Sequence, residues 1–153
     1  MDIRIEVIPN YCIAYVRQVG PYGPANALAM ERLKSWALDN ELLTDTAILF
    51  GIPQDDPRTT PPEMCRYDAC IVLPEETQLD VHDVREGELS GGAYAVFRIK
   101  HTAEDIERAW AEIIPQLYRL GYQIEHKPIV ERYTGELLRE DYCELCVPVY
   151  SAL

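Results

Sequence analysis

One arrangement of strands and a helix is written twice in this chain of 153 residues. The first copy runs through Tyr15-Val16-Arg17, a helix over 24–40, and an apolar strand over 47–52. The second runs through 95–98, a helix over 102–120, and a strand over 128–133. An offset of 81 carries Arg17 onto Arg98 and Ile48 onto Ile129. At that offset Glu131 falls where the first copy has Phe50. A duplicated fold has a seam between its halves, and an acid in an apolar strand facing that seam is a candidate ligand anchor.

The local patterns support this layout. Residues 2–7 alternate polar and apolar, as in a half-buried strand. Pro9-Asn10 reads as a turn and 11–19 as a second strand. Gly20-Pro21-Tyr22-Gly23-Pro24 breaks that strand, with Pro24 suited to a first helical position. Ala29, Leu33, Trp36 and Ala37 then form one apolar stripe. Residues 46–52 and 65–73 read as strands around a proline-rich loop. The second copy has a weak strand over 83–89, a Ser90-Gly91-Gly92 turn and a strand over 93–100. Its helix opens on Thr102, with Asp105 as a capping acid. Ile106, Trp110, Ile113, Ile114 and Leu117 form its stripe. Pro115 predicts a kink or an early end in that helix. Strands over 128–133 and 143–150 complete the set. The last pair of strands needs an offset about six residues smaller. The expected fold is α+β: duplicated βαββ modules related by a pseudo-twofold. An antiparallel sheet carries two helices flanking a central groove. One domain over 1–153 is expected, with half-modules at about 1–74 and 83–153.

The chain has 26 acidic and 14 basic side chains, a formal net charge of −12. That balance argues against binding nucleic acid or an anionic membrane, both polyanions. No apolar run follows Met1 and none approaches a membrane span, so the cytoplasm is the expected location. The cysteines are Cys12, Cys65, Cys70, Cys143 and Cys146. Cys143 and Cys146 are three apart in an expected strand and would point to opposite faces. They read as structural thiols, and no metal or other cofactor is expected. His82, His101 and His126 read as surface residues without metal spacing. No phosphate loop, nucleophile elbow or HExxH motif occurs.

Period two in the strand places Ile129, Glu131 and Tyr133 on one face. If a helix covers that face, the carboxylate loses hydration and a bound cation would restore its ionised form. Two other readings stay open: a Glu facing solvent, or one neutralised by Arg98 or Arg132. Trp110 is a candidate wall or a core residue. Tyr67 is a candidate hydroxyl donor at the seam, and Asp68 a candidate second anion there.

The segments Val19-Gly20-Pro21-Tyr22, Cys65-Arg66-Tyr67-Asp68-Ala69-Cys70, Gly91-Gly92-Ala93-Tyr94-Ala95-Val96, Lys127-Pro128-Ile129-Val130-Glu131-Arg132-Tyr133 and Cys146-Val147-Pro148-Val149 occur in one order. In that order the chain resembles the GyrI-like small-molecule-binding domain, also called the AraC-type effector-binding domain. The resemblance covers nearly the whole length. It implies a groove between two modules and a central acid in the strand motif that Glu131-Arg132-Tyr133 matches. It implies Glu131 as a pocket residue with Tyr133, Trp110 and Tyr67 as walls; Phe50, at the equivalent place of the first copy, and Ile129, on the face of Glu131, complete the candidate ligand-binding set. The implied role is a stand-alone binder of amphipathic, cationic small molecules, for sensing or sequestration of drugs or toxins. It extends to a protein partner such as DNA gyrase or a transcription regulator. The chain departs from the pattern at His101-Thr102-Ala103, where Gly-Pro-Tyr is often seen. The alternative is a small-molecule hydrolase with Glu131 as general base and Tyr133 as donor.

Overall fold

The computed structural model describes residues 3–74 and 84–150. In chain order the elements are β1 (Ile3–Ile8), β2 (Tyr11–Val19), α1 (Pro24–Asp39), β3 (Ile48–Pro53) and β4 (Arg66–Val72). The second half follows with β5 (Arg85–Leu89), β6 (Gly92–Lys100), α2 (Ala103–Arg119), β7 (Val130–Thr134), α3 (Gly135–Arg139) and β8 (Tyr142–Pro148). A single 3-10 turn, Pro62–Met64, sits in the proline-rich loop. His82 lies outside the described residues.

The eight strands form one sheet in the order β1-β6-β8-β7-β3-β4-β2-β5, with every pair antiparallel. The order reads the same from both ends once halves are exchanged, which is the pseudo-twofold. Each half's first strand is given to the other: β1 pairs β6, and β5 pairs β2. This exchange dictates the sheet's shape. β1 and β2 stand six strand spacings apart in the ladder, roughly 29 Å if the sheet were flat. The link from Ile8 to Tyr11 spans at most about 11 Å. The sheet must therefore curl until its edges approach, giving a half-barrel. The two short links cross where they meet. The Gly91 N–H donates to the Asn10 side-chain carbonyl at 2.7 Å. A Cβ on Gly91 would stand 2.2 Å from the Ile8 carbonyl oxygen.

The curl encloses one apolar cluster drawn from both halves: Ile8, Ile13, Phe50, Ile52 and Cys70 with Leu89, Tyr94, Val96, Val130 and Cys146. The opposite face carries α1 and α2. α1 buries Ala29, Met30, Leu33 and Ala37 against β2, β3 and β4. α2 buries Ala109, Ile113 and Leu117 against β6 and β8. The Thr102 hydroxyl caps α2 by accepting from the Asp105 N–H at 3.1 Å, and donates to the Asp105 carboxylate at 2.6 Å. α2 runs through Pro115 to Arg119 rather than ending early. Pro115 is exposed, and fully buried Leu117 beyond it anchors the last turn. Cys143 and Cys146 point to opposite faces of β8, into different clusters.

The buried helical positions superpose at an offset of 80, not 81: Ala29 on Ala109, Leu33 on Ile113, Ala37 on Leu117. The connection between strand and helix is one residue shorter in the second half, so the offset drops after β6. In the central strands this puts Gly51, not Phe50, at the place of Glu131. One residue of slip exchanges the faces of a strand. Phe50 therefore points into the curl, fully buried and tilted against Tyr11, on the opposite face from Glu131.

Candidate ligand-binding site at the seam

β3 and β7 are the two middle strands, and Gly51 pairs directly with Glu131. Those two residues are equivalents in the two halves, so the pseudo-twofold axis passes between them. An acid stands on one side of the axis and a glycine on the other. Alternation along β7 sends Val130 and Arg132 into the curl and leaves Glu131 and Tyr133 facing the helices. Tyr133 packs against both helix-side clusters, which locates it on the seam. The glycine is required for a neighbour: a Cβ on Gly51 would lie 2.3 Å from the Tyr67 hydroxyl. Tyr67, buried on β4, thus reaches across β3 toward the acid.

The Tyr133 hydroxyl donates to Oε2 of Glu131, and the Trp110 side chain of α2 also hydrogen-bonds the carboxylate. Burial raises the Glu131 carboxyl above its ordinary 4.5, and these two bonds offset only part of that rise. Loss of hydration disfavours the charged form more than two neutral donors restore it. Burial also pushes both tyrosine hydroxyls up, and the negative charge of Glu131 adds to it. Both tyrosines therefore remain protonated donors. Cys143, which occupies in the second half the position of Tyr67, is pushed up to about 12 by burial and then by Glu131. Ile129 precedes β7 and packs with the α2 cluster.

Four of the sequence-predicted residues, Glu131, Tyr133, Trp110 and Tyr67, thus converge on the helix side of the axis, with Ile129 at its margin. Phe50 does not, for the register reason above. Arg132 and Arg98 do not neutralise the acid. Arg132 points into the curl and holds Glu6 at 2.6 and 3.0 Å and Glu144 at 3.0 Å. Arg98 pairs with Glu140 and stacks on Tyr142. Asp68 is also on the far face, gripped by Arg17 through two 2.8 Å bonds. One residue, read from the sequence as a surface histidine and exposed in the structure, also borders the site. His101 packs edge-on against Tyr133, ring centroids 5.4 Å apart, and its charge would favour ionised Glu131. Its position just before the helix cap was the available signal. On α1, Asn26 has a buried side-chain oxygen without a hydrogen-bond partner. Asn26 occupies the place that Ile106 has on α2, at the offset of 80.

Among the described residues no group of three or more His, Cys, Asp or Glu is placed to hold a metal ion. No described helix is long and apolar enough to cross a membrane.

A family model described as the GyrI-like small molecule binding domain matches residues 1–150. A protein of Bacillus subtilis strain 168, YosT of the SPβ prophage, whose name places it with transcriptional regulators, is 41% identical over 150 residues. The match covers 97% of this chain and 99% of that protein. The DNA gyrase inhibitor of Edwardsiella ictaluri is 29% identical over 157 residues, covering 97% and 98% of the two chains. Among solved structures, the C-terminal domain of EcmrR superposes with a TM-score of 0.75 at 10% identity, covering 99% of this chain and 98% of that one. The structure of SAV2435 bound to tetraphenylphosphonium superposes at 0.58 and 11% identity, covering 99% and 95%.

Proposed function

The chain belongs to the GyrI-like small-molecule-binding family, and from that premise we propose that it captures amphipathic organic cations at the seam between its halves. Glu131 is the counter-charge, and Tyr133, Trp110 and Tyr67 form the aromatic wall around the guest. The observation that carries this reading is a desolvated carboxylate on the pseudo-twofold axis, bonded to neutral donors and, among the described residues, to no cationic side chain. A hydrophobic cation supplies the missing charge without bringing strongly held water. Aromatic faces add cation–π attraction of about 0.5–2 kcal/mol each. The tetraphenylphosphonium bound to SAV2435 is a ligand of this kind.

The test is a titration with tetraphenylphosphonium followed by tryptophan fluorescence, since Trp110 touches the acid. Saturable binding is expected, weakened at least about tenfold by Glu131→Gln, the loss of one desolvated charge pair. Equal affinity in both proteins would remove Glu131 from the site. In the cell such capture serves sensing or sequestration. Modulation of DNA gyrase, the role named for relatives, is the second arm of the proposal. A supercoiling assay run with and without tetraphenylphosphonium tests whether inhibition follows occupancy of the seam.

A further inference from the structure

The curled sheet has two mouths related by the pseudo-twofold, and the halves have used them differently. Strand pairing fixes which residues correspond. Asp68 corresponds to Glu144, Arg17 to Arg98, and Gln54 to Thr134. The second-half mouth is plugged inward by charged side chains, with a hollow of about 260 Å³ left at its rim beside Arg4, Arg98, Thr134 and Glu144. Arg132 reaches inward to Glu6 and Glu144, and Arg4 closes on Glu144 at 2.5 Å. In the first half the positions of Arg132 and Glu6 are held by Ile52 and Gly87. Neither can form the plug. A cavity of about 340 Å³ opens there, and unlike the hollow at the other mouth it reaches core residues, running inward past Ile52 to Leu89, Tyr94, Val130 and Lys127. That volume is in the range of small-molecule sites.

The lining states what the cavity would accept. Arg17 and Asp68 neutralise each other, and the Gln54 amide adds a 3.0 Å bond to the same carboxylate. Glu88 lies at the rim. Its side chain alternates to the face opposite Gly87 and Leu89. Lys127 is different. Its ammonium donates to the Gly91 carbonyl at 3.0 Å and sits 5.3 Å from the Tyr94 ring centre. It also forms an ion pair with the Glu125 carboxylate at 3.7 Å, longer than a hydrogen bond, which a ligand carboxylate would have to share. An ammonium has three protons to donate, and the Gly91 carbonyl takes one.

We propose that this first-half mouth is a second binding site, on the sheet face opposite Glu131, for small carboxylate amphiphiles. Their apolar body lies against Ile13, Ile52, Leu89 and Val130, and their carboxylate meets Lys127. It does not depend on the cation-binding reading of the seam, because the two sites share no residue.

Octanoate and octylammonium, the same tail with opposite heads, provide the test on the full chain. Amide chemical-shift mapping locates each ligand and calorimetry measures its affinity. Octanoate is expected to shift Ile52, Gly87, Leu89 and Val130 and to bind there at least about tenfold more tightly than octylammonium, as one charge-assisted bond implies. Lys127→Met is expected to erase that preference, and Glu131→Gln to leave octanoate affinity unchanged. Ile52→Arg combined with Gly87→Glu rebuilds the second-half plug and is expected to abolish binding. If that double variant does not fold, Lys127→Met decides alone. Octanoate shifts that are absent at millimolar concentration, or confined to the helix side, overturn the proposal. So does undiminished octanoate affinity in Lys127→Met.

Discussion

At the residue scale the acid on the axis exerts two opposed effects. Burial raises the Glu131 carboxyl above 4.5, so the folded chain holds this proton more tightly than the unfolded chain does. The stability it contributes is fully present below the unfolded value and is lost as pH rises through the folded one. Glutamine keeps a hydrogen-bonding group without the charge. Glu131→Gln is therefore expected to melt at a higher temperature than the parent near neutral pH, with the gap closing as pH falls below the ordinary carboxylate range. Calorimetric melting across that range checks this. Cation affinity of the parent should change in the opposite sense over the same window, rising with pH as the carboxyl ionises. A parent whose melting point and affinity move together with pH would show that another group dominates. Gly51 is the counterpart. An added methyl meets the Tyr67 hydroxyl, and overpacking of this kind costs about 1–3 kcal/mol. Gly51→Ala should lose that much in urea unfolding. Adding Tyr67→Phe, which removes the clashing oxygen, should return part of it. Glu131 was legible in the sequence because an acid in an apolar strand is anomalous. Gly51 was not, since it has no side chain to mark its face. The hydrophobic pattern drew the alignment one residue away, onto Phe50.

At the element scale, strand and helix identities followed from periodicity, down to the ends of β2. What periodicity does not encode is which strands pair. β1 and β2 read as consecutive strands joined by a turn at Pro9-Asn10, yet they lie in different parts of the ladder because each half lends its first strand to the other. α3 escaped notice because a five-residue helix has no repeat to detect. Thr134, which accepts from the Leu137 N–H at 3.2 Å, was its only sign. The crossing of the two links can be tested. A methyl on Gly91 meets backbone on three sides, including Pro9 and Asn10, and backbone cannot rotate away. Gly91→Ala is expected to cost about 2–4 kcal/mol in chemical denaturation. Asn10→Ala, which removes only the 2.7 Å bond, should cost about 1 kcal/mol. Equal small losses would mean that the links do not constrain each other.

At the scale of the whole molecule, duplication supplies two frames on which different chemistry is mounted. The seam carries glycine on one side and an acid on the other. The mouths of the curl carry a charged plug behind a rim hollow in one half and a cavity that reaches core residues in the other. Duplication did not yield two independent modules, because of the strand exchange. A fragment of residues 1–78 would contain β1 without β6 and β2 without β5. It would also hold only five of the ten buried residues that fill the curl. Each half thus lacks an edge partner and half of its inner core, and domains this small are already marginal in the surface they bury. The fragment 1–78 is expected to be unfolded by circular dichroism and amide dispersion. Mixing it with 79–153 should restore a cooperative transition, because the sheet then recovers both exchanged pairs. The restored complex should also recover binding of tetraphenylphosphonium, since Tyr67 comes from one fragment and Glu131, Tyr133 and Trp110 from the other. A fragment 1–78 that folds alone with a cooperative transition would show that β1 can return to β2 as a hairpin. The exchange would then be one of two accessible pairings rather than the condition for a core.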